Sequence, residues 1–547
     1  MFDIGYLIPA MRRLGRREFS IDWIFWLACH NENCWTKTAL QKFLLDMTTS
    51  DGLTVETRKA ALVSIDKARF VPSQKQFMLL LLVYFAFQTI SRGLISETLG
   101  VDDAEQTLLA QLWDWGYGPQ PPLYTWLVMM FCGVFGWSTF TMVLIKNLLL
   151  LGLYISAYFT ARRLSRSHVV AVVATVALQF MPSVAWEAER ELTHSILASA
   201  MIMTTLLVFV TLKPDRWGGY VLLGICAGLG TLSKYNYGVI YAGLLIGALT
   251  LSIWRPLILN RRMLATFAIT LIILAPNFIW AMHNKDLAMA SVYKFKIAPS
   301  HTPMTFAKGL ASWAQTCLEQ IAPIVGVFVL LFWRSLRRAI RPSSEGERLL
   351  WRMFIVTGTL IGIGVCAFAV TYSHNRWMQP IMVPTPLLLA LIWRDSLDVF
   401  RVKAILWLGA IITLIVAVGA SGRILLTESL HKYEILNAPF RPLASDIKES
   451  IAKADYIFAK ERWLAGNLRI WFPEKGITIP EMTSLFKPST NCILVWDATR
   501  DQPQALIATA EKETGQKFGN AQYFEERFKY HHTNMMRLGV MFPVKTN

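Results

Sequence analysis

Apolar stretches of about twenty residues recur along this chain, separated by short loops that carry Lys and Arg. A helix of that length crosses roughly 30 Å of hydrocarbon, and in lipid the backbone must satisfy its own hydrogen bonds. The pattern therefore predicts a polytopic α-helical membrane protein. Basic loops mark the inner face. Arg58, Lys59, Lys67, Arg69 and Lys75 precede the first stretch, residues 77–95, so that stretch runs outward. An apolar region then continues to Arg162, Arg163 and Arg166. Parity allows it an odd number of crossings, read as one crossing at 140–161 preceded by an interfacial helix at 123–135.

The same bookkeeping pairs 169–186 with 195–212 around the acidic loop EAERE. It makes 220–254 cross twice, turning near Lys234–Asn236, and sends 263–282 outward into a loop of about forty residues that ends at Gln320. Stretches 321–333, 354–370, 380–393 and 404–420 complete about eleven spans, with the amino terminus inside and the carboxyl terminus outside. Residues 421–547 have the composition of a soluble protein. Short β-like runs at 456–459, 468–472 and 492–496 alternate there with helical patterns, predicting a small α/β domain.

Composition agrees with this reading. The chain has 547 residues, of which 54% are hydrophobic and only 17% charged. The net charge of +17 would suit nucleic acid, but the cations sit in loops between apolar runs, where they set topology. Nucleic acid is therefore excluded as a partner. Seven cysteines without paired spacing imply no disulfide framework. Residues 1–76 read as a basic cytoplasmic leader without a cleavable signal, and Met47 is a candidate for the true start. The CHNENC segment at Cys29–Cys34 lacks the second ligand pair that a structural metal site needs.

The chemistry concentrates at residues 96–122, directly after the first span. VDDAEQTLLAQLWDWGYGPQPPL places Asp102, Asp103 and Glu105 there, and ionisable groups at a bilayer are costly enough to suggest a site. A local explanation also exists: Asp102 fits a helix N-cap, with Glu105 completing a capping box. Beyond it, Leu108, Leu109, Leu112, Trp113 and Trp115 form an apolar face suited to lie on the membrane surface. Gly116, Gly118, Pro119, Pro121 and Pro122 then make a stiff turn back to the membrane.

These elements together, an outer Asp-Asp pair after the first span and a GY…PPL turn, resemble the GT-C membrane glycosyltransferases. The likeness is to glycosyltransferase family 39, including the protein O-mannosyltransferases and the lipid A aminoarabinose and galacturonic acid transferases. LSKYNYGVIY at residues 232–241 is similar to that family's LTKY-type element, and the likeness covers about residues 77–420. The resemblance implies a transmembrane catalytic domain at 77–420 in a bacterial inner membrane, which makes the outer face, where charge parity puts the α/β domain at 421–547, the periplasm. It implies an inverting transfer from a polyprenyl-phosphate sugar, reached from membrane lipid, to lipid A or lipopolysaccharide core, or to protein in the O-mannosyltransferase alternative.

The resemblance makes Asp102 the catalytic base, with Asp103 beside it, because a carboxylate can take the acceptor proton as that oxygen attacks the sugar. The leaving lipid phosphate needs cations or strong donors. Lys234 is the first candidate, then Arg376 with His374 in TYSHNRWMQP, then Arg92. Each also has a plain reading as an interfacial anchor or snorkelling cation. Tyr117 and Tyr235 suit sugar stacking or the aromatic belt. Gln120 stands where the family often carries a basic residue or His, and His194, in LTHS, stands where it often carries an acid. No cofactor is demanded; a divalent cation near Asp103, Glu105 or His194 stays open. The rivals are a transporter or lipid flippase, which would hold ionisable groups near mid-membrane, and a scaffold presenting the carboxyl-terminal domain.

Overall fold

A computed structural model describes residues 70–340, 342–500, 502–531 and 533–544. Met47 and the CHNENC segment lie outside the described residues. Apart from Phe70–Pro72 and Asp398–Phe400, the described residues belong to one compact unit, Ser73–Leu397 with Arg401–Asn547.

The apolar stretches are helices. In chain order they are α1 (Gln74–Ile95), α2 (Val101–Leu109), α3 (Leu123–Phe135), α4 (Thr139–Ser165), α5 (His168–Val176), α6 (Thr193–Val210), α7 (Trp217–Ser233) and α8 (Tyr237–Leu249). They continue with α9 (Met263–His283), α10 (Pro303–Phe332), α11 (Glu345–Ala367), α12 (Asn375–Met382), α13 (Thr385–Ile392) and α14 (Val399–Leu425). Local chemistry sets the starts. Ser73 and Gln76 form a capping box at α1, Thr302 and Thr305 do so at α10 with Pro303 at its first position, and Ser138 caps α4.

Seven of these helices are long and apolar enough to cross a membrane, or eight when a bent pair counts as one more. The pair joins His168–Phe180 to Ser183–Arg190 at 75°. Pro182 and a π-turn at Ser183–Glu187 make that break, and such turns often mark functional sites. The other expected crossings fall on the shorter helices α7, α8, α12 and α13, so helix length alone gives fewer spans than the eleven read from charge parity. The turn expected near Lys234–Asn236 lies between α7 and α8. The loop expected to run to Gln320 does not: α10 begins at Pro303, because its capping box and Pro start a helix before the apolar run does.

Past α14 the chain forms α15 (Phe440–Ala452), β1 (Tyr456–Ala459), α16 (Arg462–Trp471), β2 (Gly476–Thr478), β3 (Cys492–Asp497), α17 (Gln504–Thr514), β4 (Gln522–Arg527) and β5 (Met535–Met541). The sheet order is β2-β1-β3-β5-β4. β1 runs parallel to both neighbours, with Ile457 opposite Ile477 and Ile493, and β5 runs antiparallel to β3 and β4. All six residues of β3 are buried, as suits a central strand covered on both faces. The run 468–472, expected as β, is instead the end of α16, which buries Leu464, Ala465 and Leu468 at helical spacing.

α2 sits against this carboxyl-terminal layer, and that contact corrects the membrane-surface reading. Leu108 and Leu109 are buried in the same core as Leu443, Leu464 and Val495. The helix stops at Leu109, leaving Leu112, Trp113 and Trp115 exposed in the turn beyond it. Polar clamps fix the pairing. Gln111 donates to the Ile477 carbonyl at 2.8 Å and accepts from its N–H at 2.7 Å. Asn467 accepts from the Leu99 N–H at 2.8 Å, and the Trp463 indole donates to the Leu99 carbonyl at 2.8 Å.

α16 and α2 approach so closely that a Cβ on Gly466 would lie 1.9 Å from the Ala104 carbonyl oxygen. Backbone cannot yield there as a flexible side chain could. Gly466→Ala is therefore expected to push the two helices apart and to destabilise the protein by about 1–3 kcal/mol. A clear fall in the thermal midpoint of the detergent-solubilised protein checks this; an unchanged midpoint would show that the contact can relax.

Candidate active site

Asp102 lies in the first turn of α2, but not as its cap. Gly100 takes the N-cap position in extended conformation and makes no side-chain cap bond, which leaves the Asp102 carboxylate free to reach across the molecule. Glu105 does not close a capping box either; it pairs with Arg462 of α16 and so belongs to the clamp. Asp102 instead accepts two bonds from Arg376 Nη1, at 3.1 Å to Oδ1 and 2.9 Å to Oδ2. A third comes from the Leu192 N–H to Oδ2 at 3.1 Å. Leu192 has φ 81° and ψ 75°, left-handed for a buried branched residue. Such a conformation costs about 1–3 kcal/mol and persists where the surroundings impose it.

Arg376 stands in the first turn of α12. His374 caps that helix, accepting from the Arg376 N–H at 3.3 Å. Burial and then the neighbouring charge of Arg376 hold the His374 imidazole below its usual pKa, which favours the neutral ring that a cap acceptor requires. The other Arg376 amino group, Nη2, donates to Glu191 Oε2 at 2.5 Å. The guanidinium thus bridges two carboxylates, with its side chain 40% exposed against 22% for Asp102.

Lys234 approaches from the α7–α8 turn. It is buried, and its ammonium donates to Ser195 Oγ and to the Arg376 carbonyl, each at 2.6 Å. Burial lowers its pKa to about 7, Arg376 adds to the shift, and Asp102 opposes it. Asn236 steadies the same turn by donating to the Trp377 carbonyl at 2.5 Å.

Behind this cluster His194 is buried between helices. Its Nδ1 lies 3.3 Å from the Ser233 carbonyl and its Nε2 3.2 Å from Gln106 Nε2. That fixes a neutral tautomer, N–H toward Ser233 and lone pair toward the Gln106 amide. Gln106 in turn accepts from Thr125 at 2.8 Å. His194 thereby ties the acid-bearing helix to the residue before Lys234. Asp103 is buried at 6% exposure on another side of α2. Burial raises its pKa, while the charge of Lys146 opposes the rise.

The structure therefore brings Asp102, Arg376 and Lys234 together, with His374 and His194 bracing them. Other candidates stand apart. Arg92 donates to the Ser96 and Thr98 carbonyls at 3.0 and 2.7 Å, shaping the entry to α2. Tyr117 is buried; its hydroxyl donates to the Leu112 carbonyl at 2.7 Å and accepts from the Asp114 N–H at 3.0 Å, so its ring locks the turn and offers no open stacking face. Gln120 is exposed. Tyr235 is 43% exposed and donates to Asn277 at 3.2 Å. The turn also depends on Gly116, where a Cβ would strike the Trp280 ring at 2.2 Å. Among the described residues no group of three or more His, Cys, Asp or Glu side chains gathers as a metal site.

Sequence reasoning missed Glu191, Ser195, Leu192 and Lys146. Glu191 and Ser195 flank His194 in ELTHS, and choosing His194 passed over both neighbours. A backbone N–H from Leu192 and a lysine within an apolar span leave no readable pattern.

The sequence profile of the dolichyl-phosphate-mannose-protein mannosyltransferase family matches residues 119–280. The lipopolysaccharide core galacturonosyltransferase RgtB of Rhizobium johnstonii is 32% identical over 445 residues, covering 78% of this chain and 88% of that protein. RgtA of the same organism is 28% identical over 414 residues, covering 74% and 82%. Among solved structures, ArnT of Cupriavidus metallidurans bound to undecaprenyl phosphate shares the fold, with TM-score 0.57 at 14% identity, across 86% of this chain and 98% of that one. A multi-pass helical chain aligned along nearly the whole of RgtB belongs to its family, among the GT-C membrane glycosyltransferases.

Proposed function

We propose that the protein transfers one sugar from a polyprenyl-phosphate carrier to lipopolysaccharide core at the periplasmic face of the bacterial inner membrane, with inversion. The names of the two relatives point to galacturonic acid as the sugar. They match far more of the chain than the mannosyltransferase profile does, which favours lipopolysaccharide over protein as acceptor. The reading keeps about eleven spans, with the amino terminus cytoplasmic and residues 421–547 periplasmic.

The observation that carries it is a carboxylate held beside two cations. Asp102 takes the proton of the acceptor hydroxyl as its oxygen attacks the anomeric carbon. The bond from that carbon to the phosphate oxygen breaks, and the lipid phosphate leaves with the electron pair. Arg376 and Lys234 balance the charge that grows on it. In the structure Arg376 Nη1 donates to both oxygens of Asp102. An arriving phosphate competes for that guanidinium, and its capture of Arg376 frees Asp102 to act as base. Donor binding thereby switches on the acid–base group.

Mass spectrometry of lipopolysaccharide core from a strain lacking the protein tests the reading. A single missing glycosyl residue, restored by the gene, is expected; unchanged core would overturn the acceptor assignment.

Lys234 adds a pH dependence. Its amine takes up a proton at about pH 7 in the free site, and a bound phosphate favours the ammonium. Below that pH the cation is already present, so donor affinity should be flat. Above it binding must take up a proton, and Kd should rise by up to about tenfold per pH unit until the pKa of the complex is reached. A sugar phosphodiester does not titrate in this range, so the slope belongs to the protein. Donor titrations from pH 6 to 9 check this; Lys234→Arg should flatten the curve, and an equal slope in that variant would reassign it.

A further inference from the structure

We infer that a basic groove lined in part by aromatic side chains in the carboxyl-terminal layer binds the anionic inner part of the acceptor oligosaccharide, the carboxylate- and phosphate-bearing sugars that do not react. The inference rests on the acceptor class proposed above and extends it to a second site.

The groove lies between α15 and the end of α16, with a cavity of about 590 Å³. That volume suits an organic ligand of several rings rather than a single ion. One wall is a stripe of α15. Arg441, Ser445, Lys448 and Ala452 recur at i, i+4, i+7 and i+11 and all line the groove. Asp446 and Glu449 of the same helix do not line it. Phe472, buried, and Trp471, half-buried, line it from the end of α16. Lys475 adds a third cation beside the single acid Glu474. Cations and aromatic side chains lining one groove are the combination that holds acidic sugars: the rings take the apolar faces and the cations the charged substituents.

The wall formed by residues 473–475 is built rather than loose. Arg469, buried at 9% exposure, donates to the Pro473 carbonyl and, at 3.0 Å, to the Lys475 carbonyl. Its guanidinium also lies over the Trp137 ring at 4.8 Å. The Lys475 ammonium donates to the Ala454 carbonyl at 2.6 Å, bridging toward the far end of α15. At the near end, Arg441 pairs with Glu97 at 2.8 Å, in the segment that leads into α2 and Asp102. Thr98 in that segment donates to the Ala438 carbonyl at 2.7 Å, just before α15. The groove and the acid-bearing helix are thus braced to each other through residues 97–98, so an extended acceptor held in the groove is registered against Asp102. A membrane-surface contact would need protruding aromatics; here Phe472 is buried and Trp471 half-buried.

The test uses the full-length protein in nanodiscs and, as probe, fluorescently labelled O-deacylated core oligosaccharide from a strain lacking the protein. Lys448 is exposed on α15, so substitutions there spare the fold. Lys448→Gln should raise Kd about threefold and Lys448→Glu about tenfold, the range expected for an exposed ion pair removed and then reversed. Carboxyl-reduced, dephosphorylated oligosaccharide should bind weakly and equally to all three proteins. Equal Kd values for the native oligosaccharide would overturn the proposal. So would a Lys448→Glu protein that loses binding to phosphatidylglycerol vesicles while keeping oligosaccharide affinity, which would make the groove a lipid contact. Because the readout is binding, it separates from the proposed activity: a wild-type protein that binds in a Lys448-dependent way yet leaves core unmodified retains the groove and loses the transferase assignment.

Discussion

Asp102→Asn is expected to lower kcat for sugar transfer by about 10³-fold or more, within the range for loss of a positioned general base. Asn keeps the shape of Asp and can still accept from the Leu192 N–H, now 3.1 Å from Oδ2. What changes is the edge facing Arg376. One carboxylate oxygen becomes an amide that can only donate, set against a guanidinium that can only donate. The pair opens and Arg376 is released toward the donor phosphate. Donor affinity should therefore hold or tighten while turnover collapses. Equilibrium binding and single-turnover transfer, measured on the same protein, separate the two. Transfer within tenfold of wild type would remove Asp102 from the base role. Asp103→Asn should behave differently, because Asp103 is buried and acts amid Lys146 and Arg92.

Helices were legible because lipid forces a long apolar run to close its own backbone bonds, so α1, α4 and α9 follow from composition alone. Two strands, Tyr456–Ala459 and Cys492–Asp497, were legible as short apolar runs. Residues 468–472 misled because a short apolar run reads equally as strand or helix turn, and burial against the sheet decided between them. Gly116 and Gly466 show another limit: each is fixed by a neighbour distant in sequence, Trp280 or Ala104, that no local pattern names.

At the site itself, residue type and loop position singled out Asp102, Lys234 and Arg376 from far-separated segments, and the fold draws them together. The capping-box reading of Asp102 and Glu105 was locally sound but lost to tertiary contacts. Gly100 takes the cap, and the two acids turn to different arginines, one on α12 and one on α16. The tail was legible as an α/β fold. That it grips α2 was not, because Leu108 and Leu109 would suit a lipid surface as well as a protein core.

The second large effect concerns Arg376. Arg376→Gln should cost about 10²–10³ in kcat/KM, the loss seen when a group stabilising developing charge is removed. Arg376→Lys should recover only part, since an ammonium cannot bridge Asp102 and Glu191 with two separate nitrogens as the guanidinium does, at 2.9 and 2.5 Å. The informative measurement is the double variant. If Arg376 acts both by holding Asp102 and by holding phosphate, then once Asp102 is Asn the first role is gone and only the second remains. Adding Arg376→Gln to Asp102→Asn should then cost clearly less than it costs alone, a coupling of about 1–3 kcal/mol. Strict additivity would mean that the Asp102–Arg376 pair is a resting contact with no part in turnover, and that donor binding does not open it. Glu191→Gln sharpens the point. It loosens Arg376 without touching the base, so it should shift donor affinity while leaving the chemical step near wild type. A fall in single-turnover rate as deep as that of Asp102→Asn would instead make Glu191 the proton acceptor.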